Sequence, residues 1–114
     1  MRALLTGVVA IMGAAVIAVA AQDPKLVDEG KKLYTANKCA DCHTIAGKGG
    51  RLMKDALDSA GKTPAADIKK WLTNPAEMEA KLEKPPKLKM SSKKYAFKDP
   101  EVEALTAYML TLKK

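Results

Sequence analysis

The sequence predicts a small all-α domain gathered around one bound group. Apolar residues recur at helical spacing in every long segment, and Asp-Pro pairs open the first and the last of these segments. Both cysteines and the only histidine fall together in Cys39-Ala40-Asp41-Cys42-His43. No strand alternation, internal repeat or domain linker is evident.

The chain has 114 residues, enough for one small domain, and its start reads as a leader. Arg2 gives a positive end, residues 3–21 carry no charge, and Ala18-Val19-Ala20 is an A-x-A cleavage signal, with a cut after Ala21. Residues 1–21 are therefore expected to be a secretory signal peptide and residues 22–114 the domain. An uncleaved anchor is the competing reading, because the apolar run is marginally long enough to span a bilayer. Gly7, Gly13 and the terminal alanines favour cleavage, and no cysteine follows to carry a lipid.

Asp23-Pro24 caps the first predicted helix, with Leu26, Val27, Gly30, Leu33 and Tyr34 as its apolar stripe. Glycine on that stripe lowers helix stability and suggests that another part of the chain approaches closely. Asn37 is placed to end the helix in a left-handed conformation. Gly47-Lys48-Gly49-Gly50 reads as a flexible loop, and residues 55–60 as a short helical piece closed by Gly61. Thr63-Pro64 caps a helix with Ile68, Trp71 and Leu72 on one face. Trp71 could donate to a carboxylate of a bound group, although core packing suffices to explain it. Asn74-Pro75 starts another helix, pairing Met78 with Leu82 and Glu77 with Lys81. Pro85-Pro86 forces an extended path to Met90. Asp99-Pro100 opens the last helix, whose buried face is Val102, Leu105, Tyr108, Met109 and Leu112. Glu101 and Glu103 near its start, and Lys113 and Lys114 near its end, suit its dipole.

Two thiols three positions apart, followed at once by an imidazole, form the pattern that attaches a c-type haem. Each of Cys39 and Cys42 can add to one vinyl group of the porphyrin, and His43 can then offer a ring nitrogen to the iron. A zinc site wants four ligands, mostly Cys and His, and only three such residues exist here. A thioredoxin-like pair should sit beside a βαβ pattern, which is missing. A simple disulfide leaves the adjacent histidine unexplained. One haem c, held through Cys39 and Cys42, is the cofactor expected.

Export agrees with that chemistry, since paired cysteines of this kind are handled outside the cytoplasm, here in the periplasm. Cutting after Ala21 leaves 93 residues, a size at which a domain needs a staple, and two thioethers plus a metal bond would be one. Loss of Arg2 leaves 19 basic against 13 acidic residues, a formal charge of +6. A basic balance suits nucleic acid, a membrane surface or acidic proteins. Export makes nucleic acid the least suitable of the three, and a membrane partner follows only if the leader stays.

With these residues in place, the chain resembles class I c-type cytochromes, the small bacterial monohaem proteins. The haem motif near the N-terminus after one helix is the class I order. Gly30 and Tyr34 match the first helix of the family's helix crossing, Leu105 and Tyr108 match the last, and Trp71-Leu72-Thr73-Asn74-Pro75 also resembles bacterial members. The resemblance implies helices packed around one covalently attached haem, with the N- and C-terminal helices crossing. Class I proteins usually carry a proline about a dozen residues after the histidine, whose carbonyl orients the imidazole. Asp55 stands there, and no proline occurs between His43 and Pro64, so some other carbonyl must hold the ring.

The lone histidine excludes a second imidazole from the same chain, and a methionine sulfur is the sixth ligand expected. Met109 lies on the apolar face of the last helix and Met78 pairs with Leu82, so packing explains both. Met53 has little chain with which to pass round a ring edge. Met90 lies 47 residues beyond His43 in a proline-stiffened loop before the last helix, where the family carries its ligand, so His43 and Met90 are the expected axial pair. Around it Lys84, Lys87, Lys89, Lys93, Lys94 and Lys98 occur without an acidic residue between Glu83 and Asp99. Residues 84–98 are thus expected to dock acidic redox partners. The function expected is that of a monomeric one-electron carrier, not an enzyme. The alternatives are a haem subunit of a larger oxidoreductase and, less well supported, a peroxidase or gas binder, which would need acid-base groups over an open iron.

Overall fold

In the computed structural model, which describes residues 23–114, helix α1 spans Pro24–Ala36. The leader expected over residues 1–21, with its cleavage signal, lies outside the described residues. Asp23 accepts a hydrogen bond from the Lys25 amide at 3.0 Å, and Pro24 fills the first turn without losing a bond, as the Asp-Pro pair requires. The end of α1 corrects the expectation for Asn37. Asn37 has φ −93°, and its amide nitrogen donates to the Leu33 carbonyl at 2.8 Å. The same carbonyl also accepts the Asn37 backbone amide at 2.9 Å, and the left-handed residue falls one position later, at Lys38 with φ 55°.

A 3-10 turn, Cys39–Asp41, leads into a feature that the periodicity did not announce. Strands β1 (His43–Ile45), β2 (Lys48–Gly49) and β3 (Asp55–Ala56) form a sheet in the order β2-β1-β3. Strands of two or three residues are too short to show an alternating pattern. The glycine run is accordingly not a loose loop. Ala46 (φ 54°) and Gly47 (φ 78°) make a two-residue turn with successive positive φ, which matches the twist of the strands it joins. Gly49, at φ 96°, lies where a Cβ would come within 2.6 Å of the His43 carbonyl oxygen. Residues 55–60 are not helical either, because Asp55 and Ala56 pair in parallel with His43 and Thr44. Gly61 sits inside a second 3-10 turn, Ala60–Lys62, where its amide donates to the Leu112 carbonyl at 2.6 Å.

Helix α2 spans Ala65–Thr73, after an extended Pro64, and no side chain caps it. Helix α3, Pro75–Glu79, stops before Lys81. Glu77 therefore reaches back to Lys70 at 3.1 Å and to Asn74, not forward to Lys81. Leu82 likewise lies beyond α3 and is exposed, which removes its expected helical pairing with Met78. Helix α4 spans Asp99–Leu110, with Lys98 at its cap. Glu101 accepts from the Lys98 amide at 2.8 Å, so this Asp-Pro pair enters its helix one position deeper than the first.

Tyr34, Ile68, Leu105 and Met109 form the buried centre, which joins α1, α2 and α4. Tyr34 and Tyr108 meet edge to face with ring centroids 5.6 Å apart. Gly30 is buried against α4: a Cβ there would collide with the Ala104 carbonyl and lie 2.7 Å from the Tyr108 Cβ. The apolar stripe of α1 thus contains a glycine because α4 occupies the space of a side chain. No helix among the described residues is long and apolar enough to cross a membrane. Replacing Gly30 by Ala is expected to destabilise the protein by about 1–3 kcal/mol through overpacking. Thermal unfolding of the purified variant should show Tm lowered by about 4–8 °C for each kcal/mol, and an unchanged Tm would contradict the tight contact.

Candidate functional site

The segment from Cys39 to His43 changes conformation within five residues. Bonds from Asp41 and Cys42 back to the Lys38 and Cys39 carbonyls (3.0 and 3.2 Å) fold the first part into a turn. From His43 onward the backbone is a strand, paired on one side with β2 and on the other with β3. The Gly50 amide to the Ala40 carbonyl (2.6 Å) and the Leu52 amide to the Asp41 carbonyl (2.7 Å) tie the turn to the returning chain. Such a dense backbone lattice leaves little freedom for the three side chains it carries.

Cys39, Cys42 and His43 line one cavity of about 680 Å³, a size that takes a cofactor. Its walls are largely apolar, with Leu57, Ile68, Leu72 and Leu105 among them. Both cysteines are unpaired, in keeping with thiols available for another bond. Burial, helped by the neighbouring Cys42, pushes the Cys39 thiol up to about 11 before any thioether forms. Tyr34 also lines the cavity; its buried hydroxyl has no hydrogen-bond partner among the described residues, and burial raises it to about 12. Two thiols, an adjacent imidazole, apolar walls and an open buried donor fit a covalently held porphyrin.

The group behind His43 is visible. Nδ1 lies 3.3 Å from the backbone carbonyl oxygen of Asp55, and 3.1 Å from that residue's carboxylate. The register of the sheet accounts for this, because β1 and β3 place His43 directly beside Asp55. The Asp55 amide also donates to the Cys42 carbonyl at 3.0 Å, a bond that proline could not make. The residue that replaces the usual proline therefore supplies the carbonyl itself. Sequence could not show this, since every residue type carries a carbonyl and only the pairing selects one.

Of the four methionines in residues 23–114, Met53, Met90 and Met109 line the cavity with His43. Met109 is buried in the central cluster. Met90 begins a 3-10 turn, Met90–Lys93, at the end of the proline-rich loop. Two side chains that the sequence did not single out hold this turn. The Tyr95 hydroxyl donates to the Asn37 carbonyl at 3.1 Å, and Tyr95 stacks on Phe97. The Glu79 carboxylate accepts from Ser91. Trp71 lines the cavity outside the buried cluster, so its place is on the cavity wall and not in the core. Lys84, Lys87, Lys89, Lys93, Lys94 and Lys98 are all exposed and take part in no ion pair among the described residues; Lys84, Lys89 and Lys93 also border the cavity.

Comparison with curated proteins and with solved structures gives no significant match. Residues 27–113 match the family described as cytochrome c, which covers most of the chain and nearly all of the described part. That family binds covalently attached haem c and generally carries electrons, and Cys39 and Cys42 have the spacing that attaches the haem. From the cysteine pair, the cavity it opens into and the extent of this match, the chain belongs to the cytochrome c family.

Proposed function

We propose that the protein is an exported class I cytochrome c that works as a one-electron carrier, with His43 and Met90 as the axial ligands of its iron. The observation that carries this reading is that His43 and Met90 line the same cavity as both cysteines. With Nδ1 engaged by Asp55, the lone pair available for a metal is on Nε2. The thioether of Met90 is a soft donor suited to the remaining axial position. The bound haem supplies the one-electron couple. The chain's own residues fix the imidazole, present the sulfur and keep the surroundings apolar.

The lysines around Met90 support a docking surface, and Lys84, Lys89 and Lys93 among them line the cavity. They are exposed and make no ion pair among the described residues, which leaves them free to steer an acidic redox protein. The apolar run and A-x-A signal of residues 3–21 support export to the periplasm. A peroxidase role gains no support, since the single histidine is the one placed beside the cysteines.

Met90→Ala should abolish the charge-transfer band from sulfur to ferric iron and open the ferrous protein to carbon monoxide; survival of the band would eliminate Met90 as ligand. Asp55→Asn keeps the backbone carbonyl and removes a negative charge beside the imidazole. The oxidised form then loses stabilisation and the reduction potential should rise. A potentiometric titration that gives an equal or lower potential would contradict that role for the carboxylate. Association with an acidic redox partner should slow steeply as ionic strength rises, as stopped-flow kinetics would record. A flat salt dependence would dismiss the lysine surface.

A further inference from the structure

Glu79 is the only acidic or basic residue that is buried among the described residues, at 5 % exposure. It closes α3 and lines the cavity. No lysine, arginine or histidine pairs with it among the described residues. Both of its oxygens are spent on one residue: the Ser91 amide donates to one at 3.0 Å, and the Ser91 hydroxyl donates to the other at 2.6 Å. A buried carboxylate without a cation is costly unless hydrogen bonds compensate it, and bonds to an ionised acceptor are the strong kind. Such a residue is out of place in an apolar wall unless it holds something.

What it holds is the residue next to Met90. Glu79 and Ser91 are the two ends of a loop that contains Pro85, Pro86 and the exposed Leu82 and Leu88. This loop has no helix or strand of its own between α3 and the Met90–Lys93 turn. Without a clasp, the position of Met90 would depend on closing that loop, which costs entropy. The paired bonds from Glu79 join the loop's ends and fix both the backbone and the hydroxyl immediately after the methionine. Tyr95 fixes the other end of the turn to the close of α1.

We propose that Glu79 is the positioning residue for Met90, clasping Ser91 so that the sulfur is presented to the cavity and held there. This rests on Met90 being the axial ligand. The test uses the haem-loaded protein and compares Glu79→Ala, Glu79→Gln, Ser91→Ala and Met90→Ala. The readouts are the sulfur-to-iron band and the rate of carbon monoxide binding to the ferrous form. Glu79→Ala should weaken the band and speed carbon monoxide binding by about tenfold or more, as the loss of bonds to a charged group implies. Glu79→Gln keeps an acceptor for Ser91 and should restore most of the native behaviour. Ser91→Ala removes one bond only and should fall between; it also serves as the test if Glu79→Ala fails to fold. A native band and native carbon monoxide rate in Glu79→Ala, or in Ser91→Ala where that stands in, would overturn the clasp provided that Met90→Ala loses the band. If Met90→Ala keeps the band, the axial assignment itself falls, and the clasp falls with it.

Discussion

The structure depends on the pairing of His43 with Asp55 across two strands. These strands are minimal, yet their register sets which carbonyl and which carboxylate face the imidazole. A one-residue slip would turn the neighbouring side chains to the other face and break that contact. The glycines that follow exist to make the register possible. Gly49 passes within a side chain's width of the His43 and Ala40 carbonyls, and only a residue without Cβ can do so at that positive φ.

The two cysteines and the histidine form one rigid unit, whereas Met90 belongs to a segment of different character. Its loop lacks regular structure, and distant partners hold it by a few polar contacts: Glu79 through Ser91, and Asn37 through Tyr95. A ladder of backbone bonds fixes the first unit; side chains fix the second. In the proposed function the covalent haem would give the two a common partner, beside a small buried cluster of Tyr34, Ile68, Leu105 and Met109. Contact between α1 and α4 at Gly30 closes the frame.

Much of this was legible from residues. The haem motif stands out because it uses all the Cys and His in the chain, and the Asp-Pro pairs located both terminal helices within a residue. Gly30 on an apolar stripe announced a close approach, and Ala104 and Tyr108 provide it. The small sheet was hidden because its strands are shorter than any period that could reveal them. Asp55 was noticed only as the absence of a proline, since a backbone carbonyl leaves no trace in residue type. Glu79 was equally silent: one glutamate in a charged stretch looks solvated until its burial and its two bonds to Ser91 are seen.

The proposed function requires a six-coordinate iron, held by His43 and Met90, that exchanges one electron. The most direct measurement is a redox titration of the purified native protein followed by its visible spectrum. A single one-electron transition is expected, between an oxidised form bearing the sulfur-to-iron band and a low-spin reduced form. A high-spin spectrum in either state, or a titration that needs more than one electron, would contradict it.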